Sequence, residues 1–315
     1  MAEFNCHLSI MNRILSMYID KLFCKKWIIG VCRGNIEDII RSKTFDLKIN
    51  WLLRKPYDTF YGDPFPIVSH DGNVKILLEE YPYDEDYGKI SLMTFDKKFR
   101  KINHKVLLDN KSHLSYPFVF SENNKTYVFP ESKKIGKLAC YEYDSINESM
   151  YFKKNILDLP LLDSTILKHD DKYWIFGTLS ENDINYELYI FYSDSLLGPY
   201  MPHSSNPVKM GLDGTRSAGN FIKIDGTIYR PTQNCEQEYG RSITINTVTE
   251  LTETRVTEEP YMTICIDEEN IFNHGMHKIH TINGIDNLII VDGMHWNFAP
   301  FYQLKKFVKS IFKIH

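Results

Sequence analysis

Five polar residues, Asp63, Tyr116, Asp163, Arg216 and His277, recur at intervals of roughly fifty residues, and each stands at the opening of a similar segment. Asp63 and Asp163 share one register. Glu131 closes the second apolar run of its segment, where Glu79 and Glu80 stand one segment earlier. Carboxylates converging on one pocket suit glycosyl chemistry: one serves as base or nucleophile, and another is held protonated as acid by its neighbours. We assign Asp63, Asp163 and Glu131 to that chemistry. Pro64 disfavours the helical region for the residue before it, so an extended Asp63 is expected, with its carboxylate projecting along the axis. The plainer reading of each acid is a turn cap or a partner for an arginine.

The fourth segment is the densest in groups that could hold a ligand. Arg216 and Arg230 suit a carboxylate or phosphate gripped by a planar guanidinium fork. Gln233 and Tyr239 suit hydroxyl groups, and Glu80, Tyr116 and His277 complete the expected binding set. The plainer reading of the arginines is a network with carboxylates that ties neighbouring segments together. The three-proline run 198–208 reads as an ordered connection that rims the pocket. His277 and His280 lie three apart, so on a strand they face opposite sides, and no metal site is expected from the pair. There is no GxSxG, Walker loop, GxGxxG after a strand, or HExxH, and no cofactor is expected.

Such residues converge only if the fold brings them to one axis. Each opening is followed by an apolar strand, a polar turn and an aromatic-rich strand, as in YPFVFSENNKTYVFPES from Tyr116 and DSTILKHDDKYWIFGT from Asp163. The turns DG, ENNK, DDK, DG and NG are hairpin signals. A period near fifty with about four strands per unit marks a propeller blade, so five openings predict an all-β, five-bladed β-propeller. The innermost strand of each blade then lines a central channel. The fifth unit has little chain left, and a strand at Trp27–Val31 is expected to complete it and close the ring. Helical spacing of apolar residues predicts short amphipathic helices at both ends, giving an N-terminal helix over 1–25, the propeller over 26–300 and a basic C-terminal helix over 301–315. That last helix could rest on an anionic membrane surface, making a peripheral contact.

Aromatic residues make up 14% of the chain, which favours sheet. A net charge of −4 gives no reason to expect a nucleic-acid partner. The six cysteines form no CxxC pair and read as reduced thiols. No secretion signal or membrane-spanning run is recognisable, so a cytoplasmic location is expected.

The runs YPFVFSENNKTYVFPES, DSTI, GPYMPHSSNPV, RSAGNF, IYRPTQNCEQEYG and VTELTETRVTEE resemble the N-terminal propeller domain of glucosamine inositolphosphorylceramide transferases, over roughly 62–293. The resemblance implies a five-bladed propeller distantly similar to family 43 glycosidases. In the plant-type proteins it places transferase chemistry in a separate C-terminal domain, for which this sequence is expected to have no room. The glycosidase likeness implies a base at Asp63, a second aspartate at Asp163 and a blade-five histidine at His277. The family's acid glutamate has no counterpart, because Arg216-Ser217-Ala218-Gly219 fills its place; Glu131 is the substitute within reach. The first functional reading is therefore glycosyl transfer in bacterial surface polysaccharide (O-antigen or capsule) synthesis. It would act on a sugar, an activated sugar or a lipid-linked glycan at the inner face of the cytoplasmic membrane. The alternatives are a family 43-like hydrolase with an altered acid and a non-catalytic glycan-binding module.

Overall fold

The computed structural model describes residues 22–52, 58–67, 72–181, 185–266, 270, 272–281, 287–300 and 302–303. Five antiparallel sheets form the five blades. Blade 1 runs outward through Thr59–Ile67, Val74–Pro82, Lys89–Phe95 and Lys101–Leu108. Blade 2 follows the same order through Ser115–Glu122, Lys125–Glu131, Leu138–Asp144 and Ser149–Leu157. Blade 3 is built on Leu162–His169, Lys172–Glu181 and Asn185–Ser193. Blade 4 is built on Asp213–Ser217, Ile222–Ile224, Thr227–Asn234, Ser242–Leu251 and Val256–Ile264.

Blade 5 joins the two ends of the chain. Its inner strands are Ile279–Thr281 and Leu288–Phe298, and the N-terminal strand Phe23–Arg33 pairs antiparallel with the latter along its whole length, from Phe23 opposite Phe298 to Arg33 opposite Leu288. Asn50–Trp51 adds the outermost strand. The N-terminal segment thus supplies two strands where one was expected. It starts the propeller at Phe23, inside the span assigned to the N-terminal helix. What remains is 1–21 of that helix and, of the C-terminal helix expected over 301–315, residues 301 and 304–315. Both stretches lie outside the described residues. Pairing Phe23–Arg33 with Leu288–Phe298 closes the ring, which is how a ring of sheets avoids an open seam.

Local chemistry sets the inner hairpins. Two-residue turns in which both central residues have positive φ close an inner hairpin in blades 2, 3 and 4: Asn123-Asn124, Asp170-Asp171 and, between Ile222–Ile224 and Thr227–Asn234, Asp225-Gly226. That conformation is tolerated by Asn, Asp and Gly and matches the twist of paired strands. The apolar faces of the strands meet between adjacent blades. Phe65, Leu77, Phe118, Phe129, Ile166 and Ile175 join blades 1 to 3, while Ile245, Ile264, Ile279 and Val291 join blades 4 and 5.

One short helix, Ile36–Ser42, buries Ile36, Ile39 and Ile40 against that second cluster; the Asn35 side chain caps it by accepting from the Glu37 N–H at 2.8 Å. The 198–208 run does not rim the channel. Its strand Met201–Pro202 lies on the outer edge of blade 3, and the Asn206 side chain exchanges hydrogen bonds with the Ile190 backbone at 2.7 and 2.8 Å.

Candidate functional site

The innermost strands of blades 1 to 4 all carry a bulge at the same level, after Gly62, Ser115, Leu162 and Asp213. In the first three the residue that follows adopts positive φ, 49° at Asp63, 41° at Tyr116 and 45° at Asp163, as does Gly214 in the fourth, at 77°. The extended Asp63 expected from Pro64 is therefore corrected. The bulge puts Asp63 in the left-handed region, a conformation Asp tolerates better than most residues. In blades 1 to 3 the bulge also frees a backbone N–H from the ladder, and a carboxylate accepts it each time. Asp292 of blade 5 accepts from Asp63 N at 3.3 Å. Asp63 accepts from Tyr116 N at 3.0 Å, and Glu131 accepts from Asp163 N at 3.1 Å. The acids thus stitch one blade to the next at the channel wall.

Lys278 stands at the centre and is fully buried. Its ammonium lies 3.3 Å from Asp63 Oδ1 and 3.1 Å from Asp163 Oδ1, donates to the Ser217 carbonyl, and sits over the Tyr116 ring at 4.4 Å. Arg216 donates from Nε to Asp163 Oδ2 at 2.6 Å, with its guanidinium near the rings of Tyr186 and Tyr239. Gln233 donates to the same Asp163 oxygen at 2.9 Å. His277 lies 2.6 Å by Nδ1 from Asp292 Oδ2 and 3.5 Å by Nε2 from Asp63 Oδ1. Trp27, delivered by the closing strand, stacks on the His277 ring at 3.8 Å. Asp63, His277 and Asp292 offer ligand atoms within 4.8 Å of one another, a set that could hold a cation. The Lys278 ammonium already supplies positive charge beside it.

Above this layer opens a cavity of about 340 Å³, lined by Trp27, Phe60, Asp63, Glu79, His113, Ser115, Glu131, Lys133, Lys134, Leu162, Asp163, Arg216, Tyr239 and His277. We call it the acid mouth. Burial favours the neutral form of every acid here, and the neighbours decide between them. At Asp163 the positive charges of Arg216 and Lys278 outweigh burial and hold the carboxyl below its usual range. At Glu131, burial and then the Asp163 charge push the pKa up to about 7. Burial, then the charges of Asp63 and Glu131, raise Glu79 well above the ordinary carboxylate range. A held-ionised aspartate beside two glutamates held protonated is the arrangement that general acid–base chemistry needs.

The expected site residues divide accordingly. Asp63, Glu131, Asp163, Arg216, Tyr239 and His277 meet at the acid mouth. Tyr116 and Gln233 lie buried beneath it, and the Tyr116 hydroxyl bonds Thr165 Oγ1 at 2.7 Å. Glu80 does not reach it. Glu79 pairs across the sheet with Gly62, so its neighbour Glu80 points to the other face and bonds Ser91 and, at 2.7 Å, His104 Nε2. Arg230 is also excluded. It lies three residues from Gln233, on the opposite face, and grips Glu258 and the Gly214 carbonyl. Sequence reasoning left Glu79 unassigned and missed Trp27, Lys278 and Asp292.

Over residues 58–282 the sequence matches the family described as glucosamine inositolphosphorylceramide transferase 1, N-terminal. The chain belongs to this family. It is 38% identical over 209 residues to glucosamine inositolphosphorylceramide transferase 1 of Arabidopsis thaliana, a match covering 64% of this chain and 27% of that protein. The chain thus spans about a quarter of that relative's length.

Among solved structures, a family 117 glycoside hydrolase from the marine bacterium Zobellia galactanivorans aligns with a TM-score of 0.53 at 11% identity, covering 89% of this chain and 92% of that one. A thermostable family-43 glycoside hydrolase aligns with a TM-score of 0.51 at 14% identity, covering 69% and 83%. At these identities the likeness is one of fold.

Proposed function

We propose that the acid mouth binds a sugar unit and catalyses its transfer to an acceptor. The observation that carries this reading is the pairing of Glu131, protonated up to about pH 7, with Asp163, held ionised, in one cavity. In the transfer step Asp63 takes the proton of the acceptor hydroxyl as its oxygen bonds the anomeric carbon. The bond from that carbon to the leaving oxygen breaks, and Glu131 gives that oxygen a proton. Burial and the Asp163 charge keep Glu131 an acid, Arg216 and Lys278 keep Asp163 ionised, and Trp27 offers an aromatic face. Arg216, Lys133 and Lys134 stand where a phosphate-bearing donor or acceptor would place its charge. Arg230, first considered for that task, plays no part in it.

The relatives' name supplies the substrate class for this proposal: an amino sugar and an inositol phosphate carried on a lipid. Within it we place the chain at the inner face of a bacterial cytoplasmic membrane, in surface polysaccharide synthesis, with the basic segment 301–315 as the membrane contact. The test is incubation with a panel of nucleotide sugars, with and without inositol phosphate or a lipid-linked acceptor, read by mass spectrometry. Transfer is expected to require acceptor and to be lost in Asp63→Asn; full turnover by that variant would refute the assignment. Because Glu131 supplies an acid where the glycosidase pattern has lost its own, hydrolysis is the second reading. It is distinguished by free sugar released at an equal rate without acceptor. Sugar protection against thermal unfolding with no turnover would favour a glycan-binding module instead.

A further inference from the structure

The innermost strands run from the acid mouth to the opposite face of the propeller, and a second cavity opens there. It measures about 410 Å³, against about 340 Å³ at the acid mouth. That is within the range of small-molecule sites, roughly 300–1,000 Å³. Its walls are the far halves of the innermost strands of blades 2 and 3, with Phe118 and Phe120 on one and Ile166 and Lys168 on the other, and Asn220 and Phe221 in the connection between the strands Asp213–Ser217 and Ile222–Ile224 of blade 4. An adjoining cavity of about 230 Å³ shares Asn220 and Phe221 and reaches His280.

The polar groups here differ in kind from those at the acid mouth. His280 is 3% exposed, and neither ring nitrogen has a hydrogen-bond partner among the described residues. Burial, reinforced by the Lys278 charge, depresses its pKa to about 3, so the ring is neutral and carries one donor and one acceptor. The Asn220 side-chain oxygen is a further acceptor without a partner among the described residues. Of the nearby lysines, Lys168 pairs with Glu122 at 2.7 Å, and Lys223 donates to the Lys168 carbonyl at 2.8 Å. Leaving buried polar atoms unpaired forfeits the hydrogen bonds they would make with water. A ligand that supplies both donors and acceptors recovers that loss, and the orphaned groups, being neutral, require no charge on it.

We propose that the far mouth is a second binding site, for an uncharged sugar ring that lays its C–H face on the Phe118, Phe120 and Phe221 side and directs hydroxyl groups to Asn220 and His280. The site is independent of the chemistry assigned to the acid mouth. It would let one propeller hold a glycan at each end of its channel.

The test is titration of the full chain, labelled with ¹⁵N-histidine, with a panel of neutral methyl glycosides, and with inorganic phosphate as the charged control. At least one glycoside is expected to shift the His280 ring nitrogens. Asn220→Leu should weaken that response tenfold or more, while Asp63→Asn leaves it intact. Asn220 is only half-buried, so its variant is expected to fold, which a circular dichroism melt checks. The proposal is overturned if no glycoside moves the His280 signals up to its solubility limit. It also fails if the shift survives Asn220→Leu unchanged or disappears in Asp63→Asn, or if phosphate alone produces it.

Discussion

Glu131 offers a perturbation whose size can be worked out. Its pKa rises from an ordinary 4.5 to about 7 because burial, then the charge of Asp163, disfavours the carboxylate. The folded state therefore binds more protons than the unfolded state between those values. The stabilisation from its protonated form is fully present below 4.5 and is lost as pH rises through 7. One pH unit of difference corresponds to about 1.4 kcal/mol, so the interval amounts to on the order of 3 kcal/mol. In Glu131→Gln the neutral form is made permanent and this pH dependence disappears. Removing the Glu131 charge also lowers the burden on Glu79, which flattens the profile further in the same direction. Urea unfolding of both proteins at pH 5, 6, 7 and 8 is the assay. The natural chain should lose more stability than the variant across that range, with the difference growing up to about pH 7. Parallel profiles, or a natural chain that gains on the variant as pH rises, would refute the electrostatic account of the acid mouth.

Three further substitutions test other parts of the structure. Lys278→Met leaves the buried Asp63 and Asp163 without their shared ammonium and should cost about 3–5 kcal/mol in chemical denaturation, since removing one partner strands the other charges. Arg230→Ala should cost a similar amount by stranding Glu258, yet leave sugar affinity per folded molecule unchanged when measured by calorimetry. Gly219→Ala places a methyl group 2.2 Å from the Ile279 carbonyl oxygen at a backbone φ of 149°. It should lower the melting temperature by several degrees, equivalent to about 1–3 kcal/mol.

The propeller was legible because its signals are local and repeated. The positive-φ turns at Asn123-Asn124, Asp170-Asp171 and Asp225-Gly226 announce themselves by residue type, and the opening residues recur at one period. The meeting of Asp63, Asp163, Arg216 and His277 followed from placing those openings on innermost strands. What stayed hidden depends on register and on departures from strand geometry. Glu79 and Glu80 are neighbours in sequence, and only the pairing of Glu79 with Gly62 shows which one faces the channel. Lys278 follows His277, so alternation would send it to the other face. Residues 276–278 precede the strand, however, and both backbone N–H groups turn to Asp292 Oδ1 at 3.0 Å. Asp292 itself lies within an apolar run and looks like a strand interruption until blade closure sets it beside His277. Arg230 carried the right chemistry for a ligand, but its three-residue offset from Gln233 commits it to the opposite face, where Glu258 occupies it.

The most direct test of the acid mouth as a sugar site is to locate the sugar. A diffraction structure of the chain soaked with a donor that it turns over or binds should show the sugar ring beside Trp27 and His277. Its glycosidic oxygen should lie within hydrogen-bond reach of Glu131. A ring bound only elsewhere on the propeller, with Asp63, Glu131 and Asp163 facing no ligand, would contradict the account.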